Sequence, residues 1–204
     1  MFLKNYFFKE KIKQNSYFIW NSKKKNIETI KQFKPLDLKL IIGVDSQKEI
    51  LLKNTINFAE GNFTNNALLW GARGNGKSSL IKSVFHKILI SYKKLNLIQL
   101  NKNDIFDIEY IYSILGKYNH FRFIIFIDDL SFEKIDSDYK IIKSTLDGSI
   151  QNQPTNILLY VSSNRRHLMP RDMIDNEKSS AIHTDESVEE KISLSDRFGL
   201  WIGF

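Results

Sequence analysis

Short apolar segments alternate with longer amphipathic segments through most of the chain. Four continuous apolar runs predict buried strands at residues 67–70, 95–100, 123–127 and 156–161. Segments with apolar residues at helical spacing predict helices at residues 77–92, 104–115 and 137–150. Because the two kinds of segment alternate, the pattern predicts an α/β fold in which a parallel sheet carries helices on both faces.

The segment before the first predicted strand has a different character. Residues 1–40 mix aromatic residues with lysines and predict a basic, helical N-terminal extension, so that the core domain spans residues 41–204. Ser46 followed by Glu49 matches a capping box and predicts that a helix begins there. Residues 172–190 are polar and acidic without a clear period, and predict a loop with some helix.

A phosphate-binding pattern directly follows the first of the four predicted strands. Residues 71–78 match GxxxxGK[ST] in full, between an apolar strand and an amphipathic helix. Glycines let backbone N–H groups approach phosphate oxygens, and the N-terminus of the following helix attracts anions. The residues that we expect to bind the phosphates of ATP are Gly71, Ala72, Arg73, Gly74, Asn75, Gly76, Lys77, Ser78 and Ser79.

Two residues of this loop and one acidic residue have distinct chemical roles. The Lys77 ammonium is expected to reach the β- and γ-phosphates, and the Ser78 hydroxyl is expected to coordinate Mg²⁺. Asp128 ends the predicted strand 123–127 and should lie at the same edge of the sheet as the loop. We therefore expect Asp128 to bind Mg²⁺, directly or through water, with a solvated strand-end carboxylate as the alternative.

Three further residues are candidates for the catalytic step. Asp129 is expected to polarise the attacking water as the base. The alternative is that Asp129 only supports neighbouring site residues, and Glu133 could then substitute as the base. Asn164 follows the fourth predicted strand and is expected to orient that water, or otherwise to cap the loop. Arg197 is expected to supply positive charge to a nucleotide on an adjacent subunit, with a salt bridge to a nearby acid as the alternative.

The charge of the chain is unevenly distributed. Residues 1–60 contain 12 Lys and 6 acidic residues, whereas residues 61–204 contain 18 basic and 17 acidic residues, within a total of +7. This predicts a solvated, lysine-rich N-terminus, with nucleic acid or an acidic protein as the alternative partner. The chain has no Cys, which excludes disulfides, and no apolar run approaches the roughly 18 residues of a membrane span. We therefore expect a cytoplasmic protein without membrane contact.

Four separated segments together resemble a known family. In order along the chain, residues 68–79, 128–132, 163–168 and 194–200 resemble the AAA+ ATPase core, and more narrowly a bacterial ATP-binding family known as domain of unknown function 815. The resemblance covers about residues 36–204. It implies an AAA+ type P-loop NTPase fold, ATP and Mg²⁺ as cofactors, adenine packing by Ile42 and Val44, and a homo-oligomer formed through Arg197.

Two features depart from the AAA+ pattern. Asp129 stands in place of the usual Glu, and the chain ends at Phe204, where a small helical lid normally follows, so we expect a truncated core. The leading hypothesis is an ATPase that uses Mg²⁺ and ATP to drive a conformational or remodelling task. The alternatives are a nucleotide-dependent switch or scaffold with little turnover and a DNA-associated loader, and the protein or nucleic-acid client is left open.

Overall fold

Seven strands form one sheet in the computed structural model, which describes residues 2–132, 137–146, 153–166, 168 and 197–204. The strands are β1 (Tyr17–Asn21), β2 (Asn26–Thr29), β3 (Ala67–Trp70), β4 (Leu95–Leu100), β5 (Arg122–Ile127), β6 (Ile157–Ser163) and β7 (Leu200–Gly203). They lie in the order β2-β1-β4-β5-β6-β3-β7. Neighbouring strands are parallel except for β1 and β2, which form an antiparallel hairpin.

Helices cover both faces of this sheet, as the sequence pattern predicts. The α-helices of the described residues are α1 (Phe2–Gln14), α2 (Asp45–Glu60), α3 (Lys77–Leu89), α4 (Ile108–Leu115) and α5 (Ser137–Leu146). Helices α2 and α3 contribute to the buried apolar cluster on one face, and α1, α4 and α5 contribute to the cluster on the other. Each helix in the described part of the chain is too short or too polar to span a membrane.

Strand β5 shows why the apolar runs are continuous. Phe123, Ile125 and Ile127 belong to the cluster under α1, α4 and α5, while Ile124 and Phe126 belong to the cluster under α2 and α3. Because successive strand residues point to opposite faces, a strand covered on both sides is apolar at every position. All five side chains are fully buried, and the burial of one such side chain contributes about 1.5–3 kcal/mol.

The N-terminal segment differs from the helical extension predicted from the sequence. Helix α1 accounts for residues 2–14, but residues 17–29 form the β1–β2 hairpin, and β1 pairs in parallel with β4. Residues on both sides of the boundary predicted at residue 41 therefore belong to one sheet. The apolar run in β1 is short, and short apolar runs do not distinguish a strand from a helix until a pairing partner is known. That partner, Leu97, lies far along the chain from Tyr17.

Several other predicted elements differ in detail. Helix α2 begins at Asp45 with Val44 as its N-cap, and no side chain caps it, so the predicted capping box does not form. The helix predicted from residue 104 begins as the 3₁₀ helix Lys102–Asp107 and becomes α-helical at Ile108. The strands predicted at 67–70, 95–100, 123–127 and 156–161 are confirmed within one or two residues, whereas β7 is not predicted. Residues 172–190 lie outside the described residues.

An ion pair between the half-exposed Lys25 and the buried Asp107 attaches the hairpin to the rest of the domain. Asp107 is 3% exposed, and its carboxylate accepts hydrogen bonds from the Trp20 indole N–H, at 2.8 Å, and from the Lys25 ammonium. Burial alone would raise the pKa of Asp107, but hydrogen bonds from Lys25, Trp20 and Ser22 outweigh it and hold the pKa below its usual value. The ionised carboxylate therefore stabilises the folded chain.

Asp107→Ala is expected to lower the free energy of unfolding by about 1–3 kcal/mol, because it leaves a buried indole N–H and an ammonium without their acceptor. Since the folded pKa is depressed, this stabilisation is fully present above the unfolded pKa of about 4 and is lost as the pH falls through the folded pKa. Urea denaturation at pH 7 and below pH 4 measures both effects. Asp104→Ala, on the same 3₁₀ helix, is the control, and equal losses in the two variants would contradict the prediction.

Candidate functional site

The carboxyl ends of three neighbouring strands bring the predicted residues together. Strands β5, β6 and β3 are adjacent and parallel, so the residues that follow them meet at one edge of the sheet. The phosphate loop, residues 71–78, follows β3, and the acidic pair, Asp128 and Asp129, follows β5. A cleft of about 320 Å³ at this edge is lined by Arg73, Gly74, Gly76, Lys77, Ser78, Ser79, Asp128, Asp129, Ser162 and Asn164.

The phosphate loop has the backbone of an anion-binding turn. Gly71, Gly74 and Gly76 have φ angles of +149°, +86° and +84°, which residues with a Cβ rarely adopt. The Gly71 N–H donates to the carbonyl oxygen of Ser163, at 3.2 Å, and ties the loop to the end of β6. Helix α3 begins at Lys77, so its N-terminal N–H groups lie beside the cleft, where they attract anions.

Lys77 is almost completely buried within this loop. Its ammonium donates to the carbonyl oxygens of Gly71, at 2.8 Å, and Ala72, at 2.7 Å, and to the amide oxygen of Asn164, at 3.2 Å. Burial lowers the pKa of Lys77, while the carboxylates of the acidic pair act in the opposite direction. The three hydrogens of the ammonium each have an acceptor, so a phosphate oxygen must replace one of these contacts to bind Lys77.

Oxygen ligands suited to Mg²⁺ lie directly beside the loop. The Ser78 hydroxyl donates to Oδ1 of Asp128 at 2.5 Å, and the Ser162 hydroxyl donates to the same oxygen at 2.5 Å. A hydroxyl and a carboxylate in contact, next to an anion-binding loop, form the hard oxygen ligand set that Mg²⁺ prefers. These residues therefore fit the metal, and the assignment of Ser78 and Asp128 as its ligands stays a prediction.

Asp129 leaves the strand in the left-handed backbone region, which few residues other than glycine, asparagine and aspartate adopt. Its φ is +54°, in the left-handed region, which costs a residue with a Cβ about 1–2 kcal/mol. Its N–H donates to Ser162 Oγ at 2.9 Å, and its carboxylate accepts from the Asn164 amide at 2.5 Å. Successive residues of an extended strand point to opposite faces, so this turn is what allows Asp128 and Asp129 to line the same cleft.

Ser162 is a residue of the site that sequence reasoning did not single out. Its side chain is 1% exposed and lies among the acidic pair and Ser78. The signal that points to it is two serines, Ser162 and Ser163, at the end of a strand that is otherwise apolar and buried on both faces. A buried hydroxyl needs hydrogen-bond partners. At the carboxyl end of β6, the neighbouring polar groups are those of the acidic pair and the phosphate loop.

Ile42 and Val44, predicted to pack on adenine, lie just before α2. Val44 is partly buried against the cluster under α2 and α3, whereas the Ile42 side chain is 85% exposed. Gln47, in the first turns of α2, donates to the Gly203 carbonyl oxygen at 2.8 Å, which holds the start of α2 beside the carboxyl end of β7. The two residues therefore lie at the same edge of the sheet as the phosphate loop, and their contact with adenine stays a prediction.

The arginines that follow Asn164 contact other parts of the protein. Arg165 donates to the carbonyl oxygen of Phe132 at 3.0 Å. The Arg166 guanidinium lies 5.2 Å from the ring centroid of Trp70 and 5.1 Å from that of Trp201. Such cation–π contacts attach the loop after β6 to the ends of β3 and β7. The contacts of both arginines therefore favour a role in supporting this loop.

Arg197 lies at the opposite edge of the sheet from the cleft. It precedes β7, which runs parallel to β3 with Leu200 opposite Ala67. The backbone from Ala67 to Gly71 spans about 13 Å, so Arg197 and the phosphate loop lie near opposite ends of this strand pair. It lines a separate cavity of about 530 Å³ with residues of the loop 61–66. The structure thus groups Asp128, Asp129 and Asn164 but not Arg197, while positions 133 and 167 lie outside the described residues.

Comparison with known proteins places this site in context. The sequence matches the family described as "Protein of unknown function (DUF815)" over residues 13–204. That match begins earlier than the resemblance at about residue 36 and includes the β1–β2 hairpin. A search of curated proteins finds no match to the chain.

Solved structures show the same fold at low sequence identity. RuvB of Thermotoga maritima, a Holliday junction branch migration motor, is 19% identical with a TM-score of 0.52, over 83% of this chain and 48% of that one. PCH-2 of C. elegans is 15% identical with a TM-score of 0.52, over 83% and 44%. Trip13 of Rhizobiales is 13% identical with a TM-score of 0.53, over 82% and 63%. The similarity shows the AAA+ fold, and the chain spans less than two thirds of each of these proteins.

Gly71→Ala is expected to destabilise the protein more than Gly74→Ala. A Cβ at Gly71 would lie 2.7 Å from the carbonyl oxygen of Phe204, whereas nothing lies within 4 Å of a Cβ at Gly74. Both variants strain a positive φ, but only the first also overlaps a neighbour, which costs about 1–3 kcal/mol more. Urea denaturation of both variants measures the difference. Equal free energies of unfolding would show that the contact with Phe204 imposes no constraint.

Proposed function

The chain belongs to the DUF815 family of proteins of unknown function, and from its AAA+ fold and its cleft we propose that it binds and hydrolyses ATP with Mg²⁺. One observation carries this proposal. The buried ammonium of Lys77, the hydroxyl of Ser78 and the carboxylate of Asp128 meet beside a glycine-rich loop at a helix N-terminus. This combination provides a cation for phosphate, hard oxygen ligands for the metal and N–H donors for phosphate oxygens.

Binding follows from the charge and donors of the loop. The N–H groups of residues 71–78 and the start of α3 bind the phosphates, with Gly71, Ala72, Arg73, Gly74, Asn75, Gly76 and Ser79 contributing backbone or side-chain donors. Lys77 exchanges its hydrogen bond to a loop carbonyl for one to a phosphate oxygen. Because Lys77 is buried, little water screens the attraction between its ammonium and the phosphate. Ile42 and Val44 flank the adenine. Ser78 and Asp128 would hold Mg²⁺, whose positive charge would offset the negative charge of the γ-phosphoryl group.

Hydrolysis needs a group that polarises the attacking water. Asp129 and Asn164 line the cleft beyond Lys77, and their hydrogen bond of 2.5 Å places a carboxylate and an amide side by side. Asn164 also contacts Lys77, so a single side chain reaches from the phosphate-binding ammonium to the base. A water held between this amide and the γ-phosphate would have the Asp129 carboxylate as its proton acceptor.

The same hydrogen bond supports the second candidate function, a nucleotide-dependent switch with little turnover. In the structure the Asp129 carboxylate accepts a hydrogen bond from the Asn164 amide, so water must displace that amide before the carboxylate can accept its proton. Asp129 is also one methylene shorter than Glu. Slow hydrolysis would follow if water cannot displace the amide.

The remaining part of the proposal concerns partners. Arg197 cannot reach the cleft of its own chain, so we propose that it acts on a nucleotide bound to a second copy in a homo-oligomer. The position of Arg197 at the amino edge of the sheet supports this, because the cleft lies at the carboxyl edge. The conformational or remodelling task that the oligomer performs, and its protein or DNA client, stay open.

Lys77→Ala is expected to weaken ATP binding by at least about tenfold, since it removes the cation nearest the phosphates. The measurement is a titration with fluorescent ATP in the presence of Mg²⁺. Lys87→Ala is the matched control, because Lys87 is exposed on the same helix, and it should bind ATP like the wild type. Equal affinity of the wild type and Lys77→Ala would rule out the proposed nucleotide site.

Arg197→Ala is expected to lower kcat by about 10³-fold or more while ATP binding is preserved. The decisive measurement mixes it with Lys77→Ala, which keeps Arg197 but lacks a working cleft. If Arg197 acts between copies, the mixture recovers part of the wild-type ATPase activity although each variant alone is inactive. A mixture that is no more active than the sum of its components would contradict action across an interface.

A further inference from the structure

Ser162, the penultimate residue of β6, holds three consecutive residues of the neighbouring segment. Its hydroxyl donates to Asp128 Oδ1 at 2.5 Å and accepts from the Asp129 N–H at 2.9 Å. Its carbonyl oxygen accepts from the Leu130 N–H at 2.8 Å. The side chain is 1% exposed, so bulk water cannot take over the contacts of its hydroxyl.

The single hydroxyl hydrogen of Ser162 gives its two hydrogen bonds with the acidic pair distinct roles. Because a serine hydroxyl has one hydrogen and two lone pairs, it donates to the Asp128 carboxylate and accepts from the backbone of Asp129. Ser78 donates to the same Oδ1 of Asp128, and its Oγ lies 3.4 Å from that of Ser162. When Ser78 serves Mg²⁺ instead, as in the proposed function, Ser162 is the hydroxyl that still orients the carboxylate.

The bond to the Asp129 N–H fixes the turn on which the acidic pair depends. Asp129 has a φ of +54°, in the left-handed region, and the hydrogen bond from its N–H to Ser162 holds it in this conformation. Without this turn, Asp128 and Asp129 would point to opposite faces of the sheet, as neighbours in a strand do. Both instead line the cleft, with Ser162 as a third wall residue beside them.

We propose that Ser162 is a positioning residue that orients both Asp128 and Asp129 toward the same cleft. Through Asp128 it orients the metal ligand, and through the backbone of Asp129 it places the base. It touches neither nucleotide nor water in this proposal and acts only through its two neighbours. The inference rests on the proposed function, because it assigns Ser162 to the same Mg²⁺ and ATP cleft.

Ser162→Ala tests the proposal in the full chain. Loss of a group that orients a metal ligand typically costs about 10–100-fold in metal affinity or activity. We expect kcat to fall by about tenfold or more, the Mg²⁺ concentration for half-maximal activity to rise by a similar factor, and KM for ATP to change by less than about threefold. Binding of fluorescent ATP without Mg²⁺ should match the wild type, since the hydroxyl of Ser162 bonds to the acidic pair and, within the phosphate loop, to Ser78 alone.

Ser163→Ala is the matched control. Ser163 is the next residue of the same strand, is equally buried, and uses its hydroxyl to accept from the Arg165 N–H at 3.1 Å, away from the acidic pair. The two variants remove the same atom from neighbouring buried positions, so a general loss of packing would affect both alike. We expect the Mg²⁺ dependence of Ser163→Ala to stay within about twofold of that of the wild type.

A second pair of variants covers the case in which Ser162→Ala does not fold. Ser162→Thr and Ser162→Val have the same shape and differ only in the hydroxyl. The Thr variant should retain the wild-type Mg²⁺ dependence better than the Val variant by about tenfold. Equal Mg²⁺ dependence in this pair, or in Ser162→Ala and Ser163→Ala, would overturn the role of Ser162. A wild type that shows no Mg²⁺-dependent ATP binding would instead overturn the proposed function itself.

Discussion

One carboxylate oxygen, Oδ1 of Asp128, accepts hydroxyl groups from both Ser78 at the start of α3 and Ser162 at the end of β6. This junction follows from the strand order, because β6 lies between β3 and β5. Adjacent strands are about 4.8 Å apart, so the phosphate loop after β3 and the acid after β5 are separated by about 10 Å of sheet. The hydroxyl of Ser162, on the intervening strand β6, forms hydrogen bonds with both Asp128 and Ser78 and so connects the two sides of the cleft.

The junction is rigid because the strands beneath it are fully buried. Every residue of β6 is buried, and β5 supplies both apolar clusters, so neither strand end can shift without disturbing the packing of the helices on one face or the other. The strained turn at Asp129 is tolerated for the same reason. The apolar core thus supports the polar carboxyl ends of β5 and β6. There, serine hydroxyls and a carboxylate form hydrogen bonds with one another away from water.

The residues that sequence could predict are those whose signal is local. The phosphate loop is a contiguous pattern, and the apolar runs of β3 to β6 are bounded by polar segments, so loop, acidic pair and Asn164 all follow from the chain itself. Sequence alone could not predict the β1–β2 hairpin, β7 or the role of Ser162. Each depends on contacts with residues that are distant along the chain. Likewise, Ser46 matches the capping pattern, but α2 begins one residue earlier with Val44 at the N-cap position and no capping side chain.

If Arg197 acts between copies of the chain as proposed, its position limits how those copies can associate. The cleft lies at the carboxyl edge of the sheet, and Arg197 lies at the amino edge, next to the exposed loop 61–66. A contact that brings Arg197 of one copy to the cleft of another joins two different surfaces and is therefore heterologous. In a two-fold dimer, the cleft and the Arg197 surface of each copy would both have to face the other copy. The two surfaces lie at opposite edges of one sheet, so they cannot both face the same partner. If Arg197 acts on a nucleotide, successive copies must repeat head to tail, and such contacts close into a ring or extend as a filament.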